Sequence, residues 1–240
     1  MSGTPTMNSR LYLIRHGQTD WSLSGQHTGR TDIPLTEQGE QDARDLAEPL
    51  RAVRFCRVFT SPLQRARRTC ELVGLDAVAA LEPDLAEWDY GDYEGQRSVD
   101  IRKGRPDWNL FRDGCPRGES PVQVSERADR VIARLRAVDG NTAIFSHGHF
   151  GRVLAARWIG LPVKHAQPFL LSTASLSILG YEHNLADEPA IVLWNAVSNE
   201  NFDEMKREKT VAKGEDALVS QCNHQNLREH PCSIAAGGGQ

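Results

Sequence analysis

Apolar positions along the chain follow two patterns. Short runs rich in β-branched or aromatic residues predict β-strands at residues 11–14, 57–60, 142–146, 175–181 and 190–194. Between these runs, apolar residues recur at helical spacing and predict helices at residues 37–51, 62–73, 120–138 and 150–159. The third helix carries a capping box, with Ser120 and Gln123 at its start and Pro121 at its first position.

Strands that alternate with helices predict an α/β fold. We expect a three-layer sandwich in which helices flank a mostly parallel central sheet, with the last two strands paired as an antiparallel hairpin. No repeat or long Pro/Gly linker divides residues 10–199, which predicts one domain. Residues 1–9 and the polar segment 200–240 lack apolar periodicity, and we expect both to be disordered.

Composition excludes several classes of protein. The 240 residues include 28 basic and 32 acidic side chains, a net charge of −4, which gives no general attraction to nucleic acid or anionic lipid. No stretch approaches the ~20 apolar residues of a membrane span. Five scattered cysteines without a CxxC pair, and an N-terminus without an apolar signal region, favour a cytoplasmic protein.

Side chains suited to anion binding follow three of the predicted strands. The first strand ends in Arg15-His16-Gly17, the second is followed by Arg65, and the third ends before His147-Gly148-His149. Ligands of open α/β sheets bind beyond the carboxyl ends of the strands. We therefore expect a convergent cationic site whose natural ligand is a phosphate-sized dianion.

Metal binding is the competing interpretation of these histidines. His16, His147 and His149 have arginines as neighbours rather than the carboxylates that usually complete a metal site, so we predict neither metal nor cofactor. A second cluster near the C-terminus combines two cysteines and two histidines: Cys222, His224, His230 and Cys232. Its spacing matches no common zinc pattern, and a metal site there is also disfavoured.

Three motifs together resemble a known family. The segment Leu13-Ile14-Arg15-His16-Gly17-Gln18-Thr19, the segment Ser61-Pro62-Leu63-Gln64-Arg65-Ala66 and His147-Gly148-His149 are similar to the histidine phosphatase superfamily, in the branch that contains phosphoglycerate mutases. The resemblance covers residue 11 to about 196. Stretches 21–29, 87–95 and 108–115 are most similar to the fungal sedoheptulose-1,7-bisphosphatase group. The resemblance implies a phosphoglycerate mutase-like fold.

The resemblance also implies a two-step reaction. Neutral His16 would attack phosphorus and form a phosphohistidine that water hydrolyses, while Arg15, Arg65 and His147 bind the equatorial oxygens. The positive charges of these three groups should lower the pKa of His16. Glu87 matches the family's proton donor. Residues that match substrate-binding positions are Gln18, Ser22, Thr28, Gly29, Tyr90, Gly148 and Arg152.

These expectations favour a phosphatase that hydrolyses small phosphorylated sugars, with a sedoheptulose 1,7-bisphosphate as one candidate substrate. Arg112 and Arg117 are candidates for binding a second phosphate. A phosphoglycerate mutase is the alternative enzyme, disfavoured by the short interval between Glu87 and His147. A catalytically silent interaction module of the same fold is the alternative outside catalysis. The sequence leaves open whether the chain forms a homo-oligomer.

Overall fold

A computed structural model describes residues 9–197, except for the side chain of Asn184. Residues 1–8 of the predicted N-terminal segment 1–9, and the whole C-terminal segment 200–240 with its Cys/His cluster, lie outside the described residues. Within the described part, no helix is long and apolar enough to cross a membrane.

The sheet has six strands in the order β3-β2-β4-β1-β5-β6. In chain order they are β1 (Leu11–Arg15), β2 (Arg57–Thr60), β3 (Ala79–Leu81), β4 (Thr142–Ser146), β5 (Leu176–Tyr181) and β6 (Pro189–Ala196). Only β5 runs against its neighbours, β1 and β6, and the other pairings are parallel. The predicted α/β fold, with a mostly parallel sheet and a final antiparallel hairpin, is confirmed.

Eight α-helices accompany the strands in the described part of the chain. They are α1 (Asp20–Ser24), α2 (Glu37–Asp45), α3 (Ala47–Arg51), α4 (Gln64–Leu72), α5 (Ser98–Gly104), α6 (Leu110–Asp113), α7 (Pro121–Arg136) and α8 (Gly148–Trp158). The predicted capping box of Ser120 and Gln123 begins α7. The helix expected over residues 37–51 is interrupted at Leu46, because Pro49 has no N–H for the carbonyl of Asp45.

The sheet order places the ends of three strands side by side. Strand β4 lies between β1 and β2, with Arg15 opposite Ser146 and Thr60 opposite Phe145. Helix α8 begins directly after β4, and a Cβ atom at Gly148 would lie 3.2 Å from Cζ of Arg15. The segments that follow β1, β2 and β4 therefore meet at one edge of the sheet, as the sequence predicts.

Candidate active site

His16 follows β1 and is almost fully buried, with 4% of its surface exposed. Its Nδ1 lies 2.7 Å from the carbonyl oxygen of Gly17. Because a carbonyl only accepts, Nδ1 must carry the proton, which leaves the lone pair of the neutral ring on Nε2. Nε2 has no hydrogen-bond partner among the described residues, and the His16 side chain lines a cavity. This tautomer is the one that an Nε2 nucleophile requires.

The backbone around His16 is fixed by α4 and by the start of α2. The Gly17 amide donates to Oγ1 of Thr69 at 3.0 Å, and that hydroxyl donates to the carbonyl of Arg65 at 2.8 Å. A Cβ atom at Gly17 would lie only 2.2 Å from the carbonyl oxygen of Gly39, so only glycine fits this approach. The orientation of His16 is therefore coupled to the helix that carries Arg65.

Both arginines of the motifs are buried and anchored by backbone carbonyls. Arg65 is fully buried, and its terminal nitrogens donate to the carbonyls of Thr28, Gly29 and Thr31, each at 3.0 Å. Arg15 donates to the carbonyl of Leu171. These bonds fix the guanidinium groups without neutralising their charge.

Buried nitrogens without a partner are concentrated at this edge. Of the five buried side-chain atoms in residues 9–197 that lack a hydrogen-bond partner, three are Nε of Arg15, Nε of Arg65 and Nδ1 of His147. His147 is fully buried, its Nε2 lies 2.7 Å from Oγ of Ser61, and its ring centroid is 5.2 Å from that of His16. A phosphoryl group presents three equatorial oxygens, one acceptor for each of these nitrogens.

Glu87 follows a short 3-10 turn, Pro83–Leu85, and its carboxyl group reaches the start of α8. Oε1 accepts from the amides of Trp88 at 2.8 Å and Phe150 at 2.7 Å, and Oε2 accepts from the amide of His149 at 3.0 Å. A carboxylate has about four acceptor sites. One site on Oε2 thus remains for a proton, and Glu87 lines the same cavity as His16.

The cavity has a volume of about 230 Å³. Among the predicted substrate-binding residues, those that line it are Ser22, Thr28, Tyr90, Gly148 and Arg152. Gln18 and Gly29 have other contacts: the Gln18 side-chain oxygen accepts from the hydroxyl of Thr36 at 2.9 Å, and the Gly29 amide donates to Glu94 at 2.9 Å. Their role in substrate binding stays a prediction, while their observed contacts support the neighbouring loop.

Arg112 and Arg117 do not line this cavity. Arg112 pairs with Asp113 and is 59% exposed, and Arg117 pairs with Asp92 and is 84% exposed. Arg152 does line it, with its guanidinium 4.7 Å above the ring of Phe111. Burial lowers the pKa of Arg152 to about 10, so the side chain remains charged near neutral pH. Among these three arginines, only Arg152 faces the cavity.

Several functional contacts escaped the sequence analysis. The His27 ring stacks on Tyr90 at 4.6 Å, and the Tyr90 hydroxyl lies 2.6 Å from Nδ1 of His149. Both histidines line the cavity, and Ser61 orients His147. His149 and Ser61 belong to the quoted motifs, and His27 to the stretch 21–29, but their pattern alone gives no contact partners.

Burial controls protonation throughout the site. Burial, followed by the positive charges of Arg65 and Arg15, lowers the pKa of His16 well below 6.5. The sequence predicts this direction but assigns it to positive charges on Arg15, Arg65 and His147. The largest cause is instead desolvation of the ring, and His147 is not among the charged groups that act on it. Burial likewise lowers the pKa of His147 and His149 well below 6.5 and that of His27 to about 4. It raises the pKa of Tyr90 well above 10. The imidazole and phenol groups are therefore neutral at neutral pH.

We expect the free energy of unfolding to decrease as the pH falls from 7.5 to 5.5. Unfolded histidines take up protons near pH 6.5, whereas His27 remains neutral until about pH 4, so the unfolded state binds more protons over this range. His27 alone should account for about 1.4 kcal/mol of the loss, and His16, His147 and His149 act in the same direction. Urea unfolding at both pH values in phosphate-free buffer measures the difference.

The control for this prediction is His27→Phe, which keeps a ring beside Tyr90 but cannot titrate. The pH-dependent loss should shrink by about 1.4 kcal/mol in this variant. An equal loss in both proteins would show that folded His27 takes up its proton as readily as the unfolded residue.

The described residues contain no group of three or more His, Cys, Asp or Glu side chains suited to a metal ion. The two guanidinium groups of Arg15 and Arg65 act on both His16 and His147 and would repel a cation. That catalysis requires neither metal nor cofactor stays a prediction, to be tested with a chelator.

A model of the histidine phosphatase superfamily, branch 1, matches residues 11–197. The chain belongs to this superfamily. An acid phosphatase of Mycobacterium tuberculosis is 42% identical over 74% of this chain and 89% of that protein. A sedoheptulose 1,7-bisphosphatase of Saccharomyces cerevisiae is 34% identical over 79% of this chain and 93% of that protein. The solved structure of an open reading frame of M. tuberculosis superposes with a TM-score of 0.74 at 37% identity, over 79% of this chain and 98% of that one.

These similarities confirm the predicted superfamily and its fold. The protein is a phosphatase, a phosphoric monoester hydrolase. The predicted similarity to the fungal bisphosphatase group is also present, although the mycobacterial acid phosphatase is more similar in sequence.

Proposed function

We propose that this histidine phosphatase hydrolyses small phosphorylated sugars in the cytoplasm, through a phosphohistidine formed on Nε2 of His16. The observation that carries the proposal is the tautomer of His16, whose Nδ1–H is fixed on the Gly17 carbonyl. Its reactive nitrogen is thereby free beside the partnerless nitrogens of Arg15, Arg65 and His147. A nucleophilic nitrogen and a set of donors that can bind a phosphoryl group therefore lie at the same edge of the sheet.

In the first step, Nε2 of His16 attacks phosphorus in line with the ester oxygen. The N–P bond forms as the P–O bond breaks, and the electron pair leaves with the sugar oxygen, which takes a proton from Glu87. In the second step, Glu87 accepts a proton from water as the water oxygen attacks phosphorus. The N–P bond then breaks, which returns neutral His16 and releases inorganic phosphate.

The surrounding donors stabilise the charge that develops during both steps. Nε of Arg15, Nε of Arg65 and Nδ1–H of His147 are available for the three equatorial oxygens, where negative charge spreads in the transition state. The Gly17 carbonyl accepts a hydrogen bond from Nδ1–H of His16 and thereby stabilises the positive charge that the ring carries once it is phosphorylated. These groups are fixed before substrate arrives, so little reorganisation is needed.

The remainder of the cavity suits a polyhydroxylated leaving group. Its walls offer neutral hydrogen-bonding groups, including Ser22, Thr28, Tyr90 and the neutral rings of His27 and His149. Arg152 lines the cavity and supplies a cation besides Arg15, which supports a second phosphate on the substrate. The name of the yeast relative, a sedoheptulose 1,7-bisphosphatase, agrees with this substrate class.

A sugar bisphosphate should be preferred over the matching monophosphate by about 10- to 150-fold in kcat/KM. A charge-assisted contact with Arg152 contributes ~1.5 to 3 kcal/mol, and each ~1.4 kcal/mol corresponds to a factor of ten. Arg152→Met should remove the preference while keeping an unbranched chain over Phe111. Phosphate release from sedoheptulose and fructose bisphosphates and monophosphates, with and without EDTA, measures the effect.

Arg112→Met is the matched control, because Arg112 is an exposed arginine outside the cavity, and it should keep the preference. A best substrate with a single phosphate would contradict the bisphosphatase proposal. Phosphate transfer between glycerate phosphates faster than hydrolysis would favour the mutase alternative. Loss of activity in EDTA, restored by one metal, would contradict the metal-independent mechanism.

A further inference from the structure

One buried arginine outside the cavity contacts the segment that carries Glu87. Arg127 lies on α7 with 8% of its surface exposed. Its Nε and one terminal nitrogen form two bonds with the Glu119 carboxylate, at 2.8 and 2.7 Å. The guanidinium also lies 4.3 Å above the ring of Phe150 on α8. Arg127 is therefore a fixed cation between α7 and α8, paired with Glu119.

The other hydrogen bonds of Arg127 go to backbone carbonyls beside Glu87. One terminal nitrogen donates to Asp84 at 2.8 Å and to Ala86 at 2.7 Å, and the second donates to the carbonyl of Glu87 itself at 3.3 Å. A single planar guanidinium thus fixes three carbonyls over four consecutive positions. Lysine could not reproduce this fork of donors.

Glu119 fixes the same segment from its other end. Its Oε2 accepts from the amide of Asp89 at 3.0 Å, its own amide donates to the Asp89 carbonyl at 2.8 Å, and its carbonyl accepts from Nε1 of Trp88 at 2.9 Å. The ion pair of Arg127 and Glu119 therefore encloses residue 87 on both sides. The carboxyl group of Glu87 is oriented separately, by the amides of His149 and Phe150.

We propose that Arg127, with Glu119 as its counter-ion, is a positioning residue that acts through Glu87. It fixes the backbone from which the proton donor extends, so that the free site on Oε2 stays directed at the cavity. A misplacement of about 1 Å in catalytic geometry can reduce a rate by about 100-fold. This inference rests on the proposed role of Glu87 as the proton donor.

The test is the dependence of rate on the leaving group. Arg127→Gln should reduce kcat/KM on an alkyl phosphate, whose leaving group needs a proton, by about 100-fold, since kcat/KM reports formation of the phosphohistidine and not its hydrolysis. On 4-nitrophenyl phosphate, whose leaving group departs without one, the loss should stay below about threefold. Intermediate aryl phosphates should give a slope of log kcat/KM against leaving-group pKa that is steeper than in the wild type.

Arg130→Gln is the matched control. Arg130 lies on the same helix and contacts the same segment, but through the side chain of Asp84 and with 56% of its own side chain exposed. We expect the wild-type slope in this variant. A uniform loss across the series for Arg127→Gln would show that the residue only stabilises the fold, and would overturn the inference.

A double-mutant cycle tests whether Arg127 acts through Glu87. If it does, adding Arg127→Gln to Glu87→Gln should reduce the alkyl phosphate rate by less than about threefold further, because the group it positions is already absent. A full additional loss would overturn the inference. If Glu87→Gln alone leaves the slope unchanged, the proposed function of Glu87 fails, which is a distinct result.

A second variant keeps the test valid if Arg127→Gln does not fold, since removing Arg127 leaves Glu119 as an unpaired, half-buried charge. Replacing both partners, as in R127M/E119L, leaves no unpaired charge and still removes the bonds to the three carbonyls. We expect the steeper slope in this folded variant. The wild-type slope would overturn the inference.

Discussion

Substitution of His16 by alanine should reduce kcat by about 10⁴- to 10⁶-fold, the loss expected when the nucleophile of a covalent mechanism is removed. The anion-binding nitrogens of Arg15, Arg65 and His147 remain in the variant, but the imidazole that attacks phosphorus is absent. Phosphate release from an alkyl phosphate measures the loss. Rapid quenching of the wild type should trap phosphate on His16 that is labile in acid and stable in base.

His165→Ala is the matched control, because this histidine is exposed and does not line the cavity. It should turn over at the wild-type rate and retain the trapped phosphate. Turnover of His16→Ala within tenfold of the wild type would contradict the phosphohistidine mechanism.

Glu87→Gln should have the second large effect, and it should depend on the substrate. General acid catalysis contributes about 10²- to 10⁴-fold, so hydrolysis of an alkyl phosphate should fall by that amount. Hydrolysis of 4-nitrophenyl phosphate should fall by less than about tenfold, because nitrophenolate is a good leaving group. The values of kcat/KM on both substrates measure the difference, because they report formation of the phosphohistidine and exclude its hydrolysis, in which Glu87 acts on every substrate alike.

Glu94→Gln controls for the loss of a hydrogen-bonded carboxylate. Glu94 accepts from the amides of Gly29 and Thr31 but does not line the cavity, so any loss should be equal on the two substrates. Equal losses in Glu87→Gln would assign that residue a role other than proton transfer.

The local sequence pattern was sufficient to predict those strands and helices whose own residues carry a clear apolar periodicity or capping signal. Strand β4, helix α7 and the capping box at Ser120 follow from apolar periodicity and end chemistry, and the structure confirms them. Strand β3 was missed because it has only three residues, Ala79–Leu81, none of which is β-branched or aromatic. Its pairing with β2 depends on the tertiary fold.

For the candidate site too, some features could be predicted from the sequence and others depend on the tertiary structure. By itself, the sequence determined which groups follow the strands, because the ends of parallel strands share one edge: Arg15, His16, Arg65 and His147 meet as predicted. Only the tertiary structure decided which hydrogen-bond donors lack partners and that burial is the largest cause of the lowered pKa of His16. It also decided that Arg152, rather than Arg112 or Arg117, faces the cavity. It also decided that Arg127 contacts the segment of Glu87 from 40 residues away. Hydrogen-bond partners and desolvation depend on distances between segments remote in sequence, which no local pattern contains.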